Sequence, residues 1–232
     1  MRYRVRYNLP IKMTTKLEDT FRGKLVEQYQ RLDELGLIAL SSGNISCRMK
    51  DGFLISPSGV SAREICNENI VYITSENTWD NNQQPSSEWQ RHAAVYKSHP
   101  QAQAIVHTHS NHCVGLACQN KALPGFHYLV GIFGGKEVPC VPYATFGTEE
   151  LANHVVRGLQ GHSACLLANH GMICRAKSLA HAVNSAHQIE ILCHQYLLCC
   201  QFGKEPTLLN DNQWQEFHHQ FEQLQYGQQF DE

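Results

Sequence analysis

The segment Ala104-Ile105-Val106 is apolar and runs straight into His107-Thr108-His109. Such a run reads as a β-strand, and residues two apart on a strand point to the same face. The two imidazoles are therefore predicted to stand side by side at the end of a strand, where a pair can grip one ion. Alone, this spacing is a weak signal, because core and surface histidines often produce it. It gains meaning only if distant parts of the chain supply further ligands.

Helices are predicted over 17–37, 87–97, 179–202 and 214–224, and short strands over 53–56, 71–73, 138–142 and 164–168. In the first helix Phe21, Leu25, Leu32 and Leu35 recur at roughly helical spacing. Ala182, Ala186, Ile189, Leu192, Tyr196 and Leu197 mark the buried face of the long one. Residues 41–46 are turn-rich, and 80–85 form a polar loop. Strands and helices intermix with no linker or repeat between them, which predicts one α/β or α+β domain over 17–232. Residues 1–16, where Arg2, Arg4 and Arg6 alternate with Tyr3, Val5 and Tyr7, read as a poorly ordered extension.

A formal net charge of -2 gives no reason to expect a nucleic-acid or acidic-membrane partner. No apolar run reaches the roughly 20 residues needed to cross a bilayer, and the N-terminus lacks a signal-type apolar stretch, so a cytoplasmic location is expected. There the ten cysteines, none paired as CxxC, are expected to be reduced and mostly buried. Fourteen histidines against three tryptophans turn attention to imidazole chemistry.

A third candidate ligand is His170, in Ala168-Asn169-His170-Gly171, which follows another apolar strand. A carboxylate comes from Glu88 in Pro85-Ser86-Ser87-Glu88-Trp89, placed at a helix start where free backbone N–H groups favour negative charge. Three histidines and a carboxylate suit Zn²⁺ or another borderline divalent ion with positions left for substrate. His99, His112, His154, His162, His181, His187, His194, His218 and His219 read as surface or core residues. Ser42-Gly43-Asn44, Ser58-Gly59 and Ser86-Ser87 are small polar loops whose amides and hydroxyls suit a phosphate. Each loop alone is equally an ordinary turn. Neither GxxxxGK[ST] nor GxGxxG occurs, so nucleotide binding has little support.

Together these stretches resemble the class II aldolase/adducin-head family, from about Leu17 to the C-terminus. The motifs are Ser42-Gly43-Asn44-Ile45-Ser46, Ser56-Pro57-Ser58-Gly59, Pro85-Ser86-Ser87-Glu88-Trp89, Val106-His107-Thr108-His109 and Asn169-His170-Gly171. His127-Tyr128, Gly134-Gly135 and the run Val138 to Thr148 are similar to the fuculose-phosphate-type aldolases of that family. The resemblance implies a three-layer α/β/α sandwich around a mostly antiparallel sheet, assembled as a homotetramer. It implies Zn²⁺, with Mn²⁺ or Co²⁺ as alternatives, on His107, His109, His170 and Glu88. Glu88 then serves as general base, and Tyr128 of an adjacent subunit as proton donor. Ser42, Gly43, Asn44, Ser58, Gly59, Ser86 and Ser87 hold the substrate phosphate, and Phe146 and Tyr226 meet the aldehyde. Two departures stand out: Asn169 where relatives carry histidine, and Ser41 where threonine is common.

The activity implied is reversible cleavage of a small ketose 1-phosphate, L-fuculose 1-phosphate or a close analogue, to dihydroxyacetone phosphate and an aldehyde. The same scaffold also serves sugar-phosphate 4-epimerases, dehydratases and decarboxylases. Epimerases tend to carry aspartate at the Glu88 position, and the Pro142 to Gly147 run favours the aldolase. A non-catalytic module of the adducin-head type is the reading from another class, and the four retained ligand residues oppose it.

Overall fold

The computed structural model describes residues 16–224. The expectations for residues 1–15 and for Tyr226 fall outside that range. The chain runs α1 (Lys16–Glu34), β1 (Gly43–Met49), β2 (Gly52–Ile55), β3 (Val71–Thr74), α2 (Trp89–Ser98), β4 (Ala104–Thr108) and α3 (Asn111–Ala117). There follow β5 (Leu123–Pro124), β6 (Glu137–Val138), β7 (Cys140–Val141), α4 (Glu149–Gly158), β8 (Ala164–Leu167), β9 (Gly171–Ala176), α5 (Leu179–Cys200) and α6 (Asp211–Gln223).

Seven strands form one sheet in the order β3-β2-β1-β4-β9-β8-β7. Every neighbouring pair is antiparallel except β7 with β8. Because side chains alternate along a strand, a sheet with helices on both faces is apolar at consecutive positions. That is the pattern here. Ala104, Val106, Leu166, Met172 and Cys174 pack with Leu25, Tyr29 and the α5 residues Ala182, Ala186 and Ile189. Their neighbours Ile105, Cys165, Leu167 and Ile173 pack on the opposite side with Val95, Tyr96 and Val155 from α2 and α4. The result is the three-layer α/β/α arrangement, with β4 in mid-sheet.

Several boundaries differ from the sequence reading, each for a local reason. The first helix stops at Glu34 because Leu37 N bonds back to Leu32 O at 2.9 Å and Gly36 N to Asp33 O at 2.9 Å, a Schellman-like close. Residues from Gly43 onward form a strand, since β1 pairs with β4 from Gly43↔Thr108 to Cys47↔Ala104 and this pairing overrides turn-type residues. The helix expected from 87 begins at Trp89. Before it, Ser58 N bonds Gln84 O (2.9 Å) and Ser86 N bonds Ser56 O (3.1 Å), tying 84–86 beside 56–58. The helix expected from 214 begins at Asp211, where Asn210 and Gln213 form a capping box. Strand β9 and helices α3 and α4 were not foreseen. Among the described residues no helix is long and apolar enough to cross a membrane.

Candidate active site

Strand β4 is buried throughout, and its odd positions face α2. This puts His107 under that helix, fully buried, with His109 at the more open end. His107 Nδ1 lies 2.7 Å from the carbonyl of Met172. A carbonyl can only accept, so Nδ1 carries the proton and Nε2 presents a lone pair. That Nε2 is 2.9 Å from His109 Nε2 and 3.1 Å from Glu88 Oε2.

His170 arrives on the turn between β8 and β9. Asn169 takes the left-handed conformation there (φ 55), which its short polar side chain tolerates. Gly171 is required for a different reason: a Cβ on it would sit 2.3 Å from the Thr108 carbonyl oxygen. The absence of a side chain lets β9 close against β4 and brings His170 over the pair. The three rings lie 4.8, 4.9 and 4.9 Å apart, and His170 Nε2 is 3.4 Å from Glu88 Oε1. Ligand atoms of Glu88, His107, His109 and His170 all fall within 4.8 Å of one another.

Glu88 stands at the start of its helix, as expected, in the N-cap position, and its carboxylate makes no cap hydrogen bond. The side chain turns instead toward Arg91, whose Nη2 is 2.7 Å from Oε2, and toward Asn44, whose Nδ2 donates to Oε2 at 3.0 Å. Oε1 is buried without a hydrogen-bond partner. Burial pushes the Glu88 carboxyl upward, but His107 and His170 when charged, and the Arg91 guanidinium at all times, draw it below the usual carboxylate range. Burial drives His109 down to about 4 and His170 down to about 3, and the Arg91 guanidinium pushes the same way. The imidazoles are thus neutral at neutral pH, the form in which they could hold a cation.

This donor set fits a divalent cation. The His107 lone pair faces a carboxylate oxygen, acceptor against acceptor, and a second oxygen of that carboxylate lies buried with no donor. A shared cation resolves both conflicts. The Met172 carbonyl supplies the outer support that orients a ligating imidazole.

The cluster opens into a cavity of about 320 Å³. Ser42, Gly43, Asn44, Ser58, Gly59, Ser86 and Ser87 all line it, beside Glu88, His109 and His170. Gly43 is needed at its place: φ is +125, and a Cβ would meet Ile38 Cγ2 at 2.6 Å. Phe146 and Tyr143 form an exposed aromatic rim, with Ser41, Asn169 and Ala144 also at the wall. Among the described residues, the lining includes no lysine.

Tyr128, expected to serve the site of an adjacent subunit, does not line this chain's own cavity; its ring is exposed and stacks on His127 at 4.8 Å. Among the nine histidines set aside, none joins the cluster. His112 instead pairs with Glu190 at 2.7 Å and stacks on His194 at 3.9 Å.

The sequence reading missed Arg91, His92, Ser46 and Tyr96. Glu88, His92 and Tyr96 sit four apart along one side of α2, and Asn44 and Ser46 sit two apart on β1. A helix rises about 6 Å over four residues and a strand about 6.6 Å over two, so the two ladders stay in step. His92 Nε2 meets Asn44 Oδ1 at 2.6 Å, His92 Nδ1 meets Ser46 Oγ at 2.7 Å, and Ser46 Oγ meets the Tyr96 hydroxyl at 2.8 Å. The i, i+4 spacing of polar residues on a half-buried helix was the available signal.

Comparison with known proteins agrees with this geometry. The family model described as Class II Aldolase and Adducin N-terminal domain matches residues 23–197. The L-fuculose phosphate aldolase of Haemophilus influenzae is 42% identical over 192 residues, 83% of this chain and 89% of that protein. The 5-methylthioribulose-1-phosphate/5-deoxyribulose-1-phosphate aldolase of Rhodospirillum rubrum is 40% identical, covering 81% of this chain and 85% of the relative. A solved structure of an L-fuculose 1-phosphate aldolase superposes with TM-score 0.84 at 31% identity, over 92% of this chain and all of that one. The chain belongs to the class II aldolase and adducin N-terminal domain family.

Proposed function

We propose that the chain is a metal-dependent aldolase that reversibly cleaves a ketose 1-phosphate to dihydroxyacetone phosphate and a small aldehyde. The observation carrying this reading is the convergence of three neutral imidazoles and a carboxylate on a cavity walled by backbone amides and hydroxyls. The four clustered ligand-type side chains at the cavity support an enzyme of the metal type over one using a Schiff base. L-fuculose 1-phosphate and the 5-deoxy or 5-methylthio ribulose 1-phosphates are the substrate candidates, since the names of relatives at 42% and 40% identity point to both groups.

His107, His109, His170 and Glu88 would hold the cation, with Zn²⁺ the first candidate and Mn²⁺ or Co²⁺ the alternatives. When bound, the cation supplies Lewis-acid stabilisation of negative charge developing on substrate oxygens. Ser42, Gly43, Asn44, Ser58, Gly59, Ser86 and Ser87 grip the phosphate through amides and hydroxyls. In the cleavage direction Glu88 returns a proton to the carbon of the dihydroxyacetone phosphate half; in synthesis it removes that proton. The low proton affinity of its carboxylate rises toward the working range once Oε1 turns from the cation's side toward substrate.

Tyr128 protonates the aldehyde oxygen in synthesis. Its exposure and distance from its own cavity suit a role in the site of a neighbouring copy within a homotetramer. Phe146 packs against the aldehyde, with Tyr226 contributing from the tail. Such an enzyme would work in the cytoplasm.

The test is a screen of ketose 1-phosphates for released dihydroxyacetone phosphate, with and without chelator. Release from at least one of them, abolished by chelation and restored by Zn²⁺, is expected. Turnover indifferent to chelation, or no turnover by the metal-loaded protein, defeats the reading.

A further inference from the structure

Glu88 is gripped by one oxygen only. Oε2 receives Asn44 Nδ2 at 3.0 Å and lies 2.7 Å from Arg91 Nη2, whereas Oε1 has no hydrogen-bond donor. What keeps Asn44 donating toward Glu88 is not evident at Asn44 itself, since its amide would fit the same space with oxygen and nitrogen exchanged. Exchanged, it would set a carbonyl oxygen against a carboxylate. The answer lies one layer behind, where Asn44 Oδ1 meets His92 Nε2 at 2.6 Å. An amide oxygen accepts, so Nε2 of His92 carries its proton and Nδ1 is bare. Nδ1 in turn needs a donor, and the Ser46 hydroxyl stands 2.7 Å away. With its proton so used, Ser46 Oγ accepts from the Tyr96 hydroxyl at 2.8 Å.

The chain has a single consistent direction: Tyr96 to Ser46 to His92 to Asn44 to Glu88. Ser46 and His92 are completely buried, Asn44 and Tyr96 nearly so, so water has little access to any link. Reversing any link breaks the next.

We propose that His92 is a positioning residue, which through the Asn44 amide holds Glu88 by Oε2 and leaves Oε1 as the oxygen that exchanges the proton with substrate. The inference rests on the aldolase reading of this site. No titration is involved, because each link works with neutral side chains and one fixed carboxylate. The arrangement gives a neutral histidine a role in the buried layer between α2 and β1: an apolar residue there would fill the space but leave the amide of Asn44 free to turn.

Three measurements on the full-length protein decide it. First, ¹⁵N–¹H correlation across the imidazole rings, assigned by difference with His92→Phe, should show His92 protonated at Nε2 and bare at Nδ1. Second, exchange of the C3 proton of dihydroxyacetone phosphate with deuterated water should fall roughly 100-fold in kcat in metal-loaded His92→Phe, with KM held within about threefold. Third, Zn²⁺ affinity should weaken roughly 10- to 100-fold, as expected when support behind a ligand is lost. His92→Gln, which keeps an N–H for Asn44 and an acceptor for Ser46, should recover most of both losses.

The opposite tautomer overturns the inference. So does a Gln variant as damaged as the Phe variant, which would make the role one of packing. If wild-type enzyme with metal fails to exchange the proton, the aldolase reading falls; the tautomer and the Zn²⁺ affinity of the two variants then decide the positioning claim. Unchanged affinity in His92→Phe refutes it.

Discussion

Replacing Gly171 by alanine adds one methyl group at the seam where the ligand turn meets the central strand. The new Cβ would lie 2.3 Å from Thr108 O and 3.1 Å from His109 Cδ2. Restoring ordinary contact at 3.4 Å moves β9 from β4 by about 1 Å. The yielding partner is backbone, in a strand bonded on both sides, so relief costs on the scale of core overpacking, about 1–3 kcal/mol. For a protein of this size each kcal/mol lowers Tm by roughly 2–4 °C. The larger consequence is local, because His170 is the adjacent residue and metal ligands tolerate only about 0.2 Å of displacement. Zn²⁺ affinity of Gly171→Ala, measured by competition with a chromophoric chelator, should fall roughly 10- to 100-fold. Gly115→Ala is the control. Its added methyl meets only Leu197 Cδ1 at 3.4 Å, and in mid-helix the change should be neutral or stabilising by about 0.5–1 kcal/mol. A Gly171→Ala protein binding Zn²⁺ within about threefold of wild type, a difference well under 1.4 kcal/mol, would refute the claim that this close approach sets the cluster.

Glu88→Gln should abolish proton exchange and leave Arg91, whose side chain is 3% exposed, as an uncompensated buried cation; loss of about 3–5 kcal/mol is expected, largely recovered in Glu88→Gln/Arg91→Met, and additive losses in a denaturation cycle would contradict the pairing. With chelator present, thermal stability should fall as pH drops from 6.5 to 5. In that window the unfolded chain takes up protons at histidine, whereas His109 and His170 in the fold resist until about 4 and 3; a flat Tm, or an equal slope in His170→Gln, would count against it. Tyr128→Phe should lower turnover by about 10²–10⁴-fold as expected for a lost general acid. If Tyr128 serves a neighbouring copy, co-assembly of Tyr128→Phe with Glu88→Gln chains should regain activity, and hybrids as inactive as their parents would place it elsewhere.

The four residues of the cluster were legible in the sequence because each rests on a short-range rule. His107 and His109 share a face by strand alternation, and Glu88 and His170 stand beside loop residues that mark the ends of elements. The small polar loops were legible as residues, though spacing could not show that 42–44, 58–59 and 86–87 line one cavity. That convergence depends on backbone bonds between 56–58 and 84–86 and on β1 pairing with β4. The turn-like look of Gly43-Asn44 concealed a strand for the same reason: its pairing partner is over sixty positions away. Arg91 and His92 escaped notice because each looks ordinary in sequence, and only burial against β1 gives them a role. Strand β9 was hidden by the turn residues Asn169 and Gly171 at its start.

The mid-sheet place of β4 divides the molecule into parts with different opportunities to change. Hydrogen-bonded on both edges, that strand can expose its amides only when much of the sheet opens, so hydrogen exchange there should report global unfolding. The segments carrying Tyr143 and Phe146 lie outside regular strands and helices and can respond independently. Substitution can therefore rework the entrance while the floor formed around the central strand stays fixed.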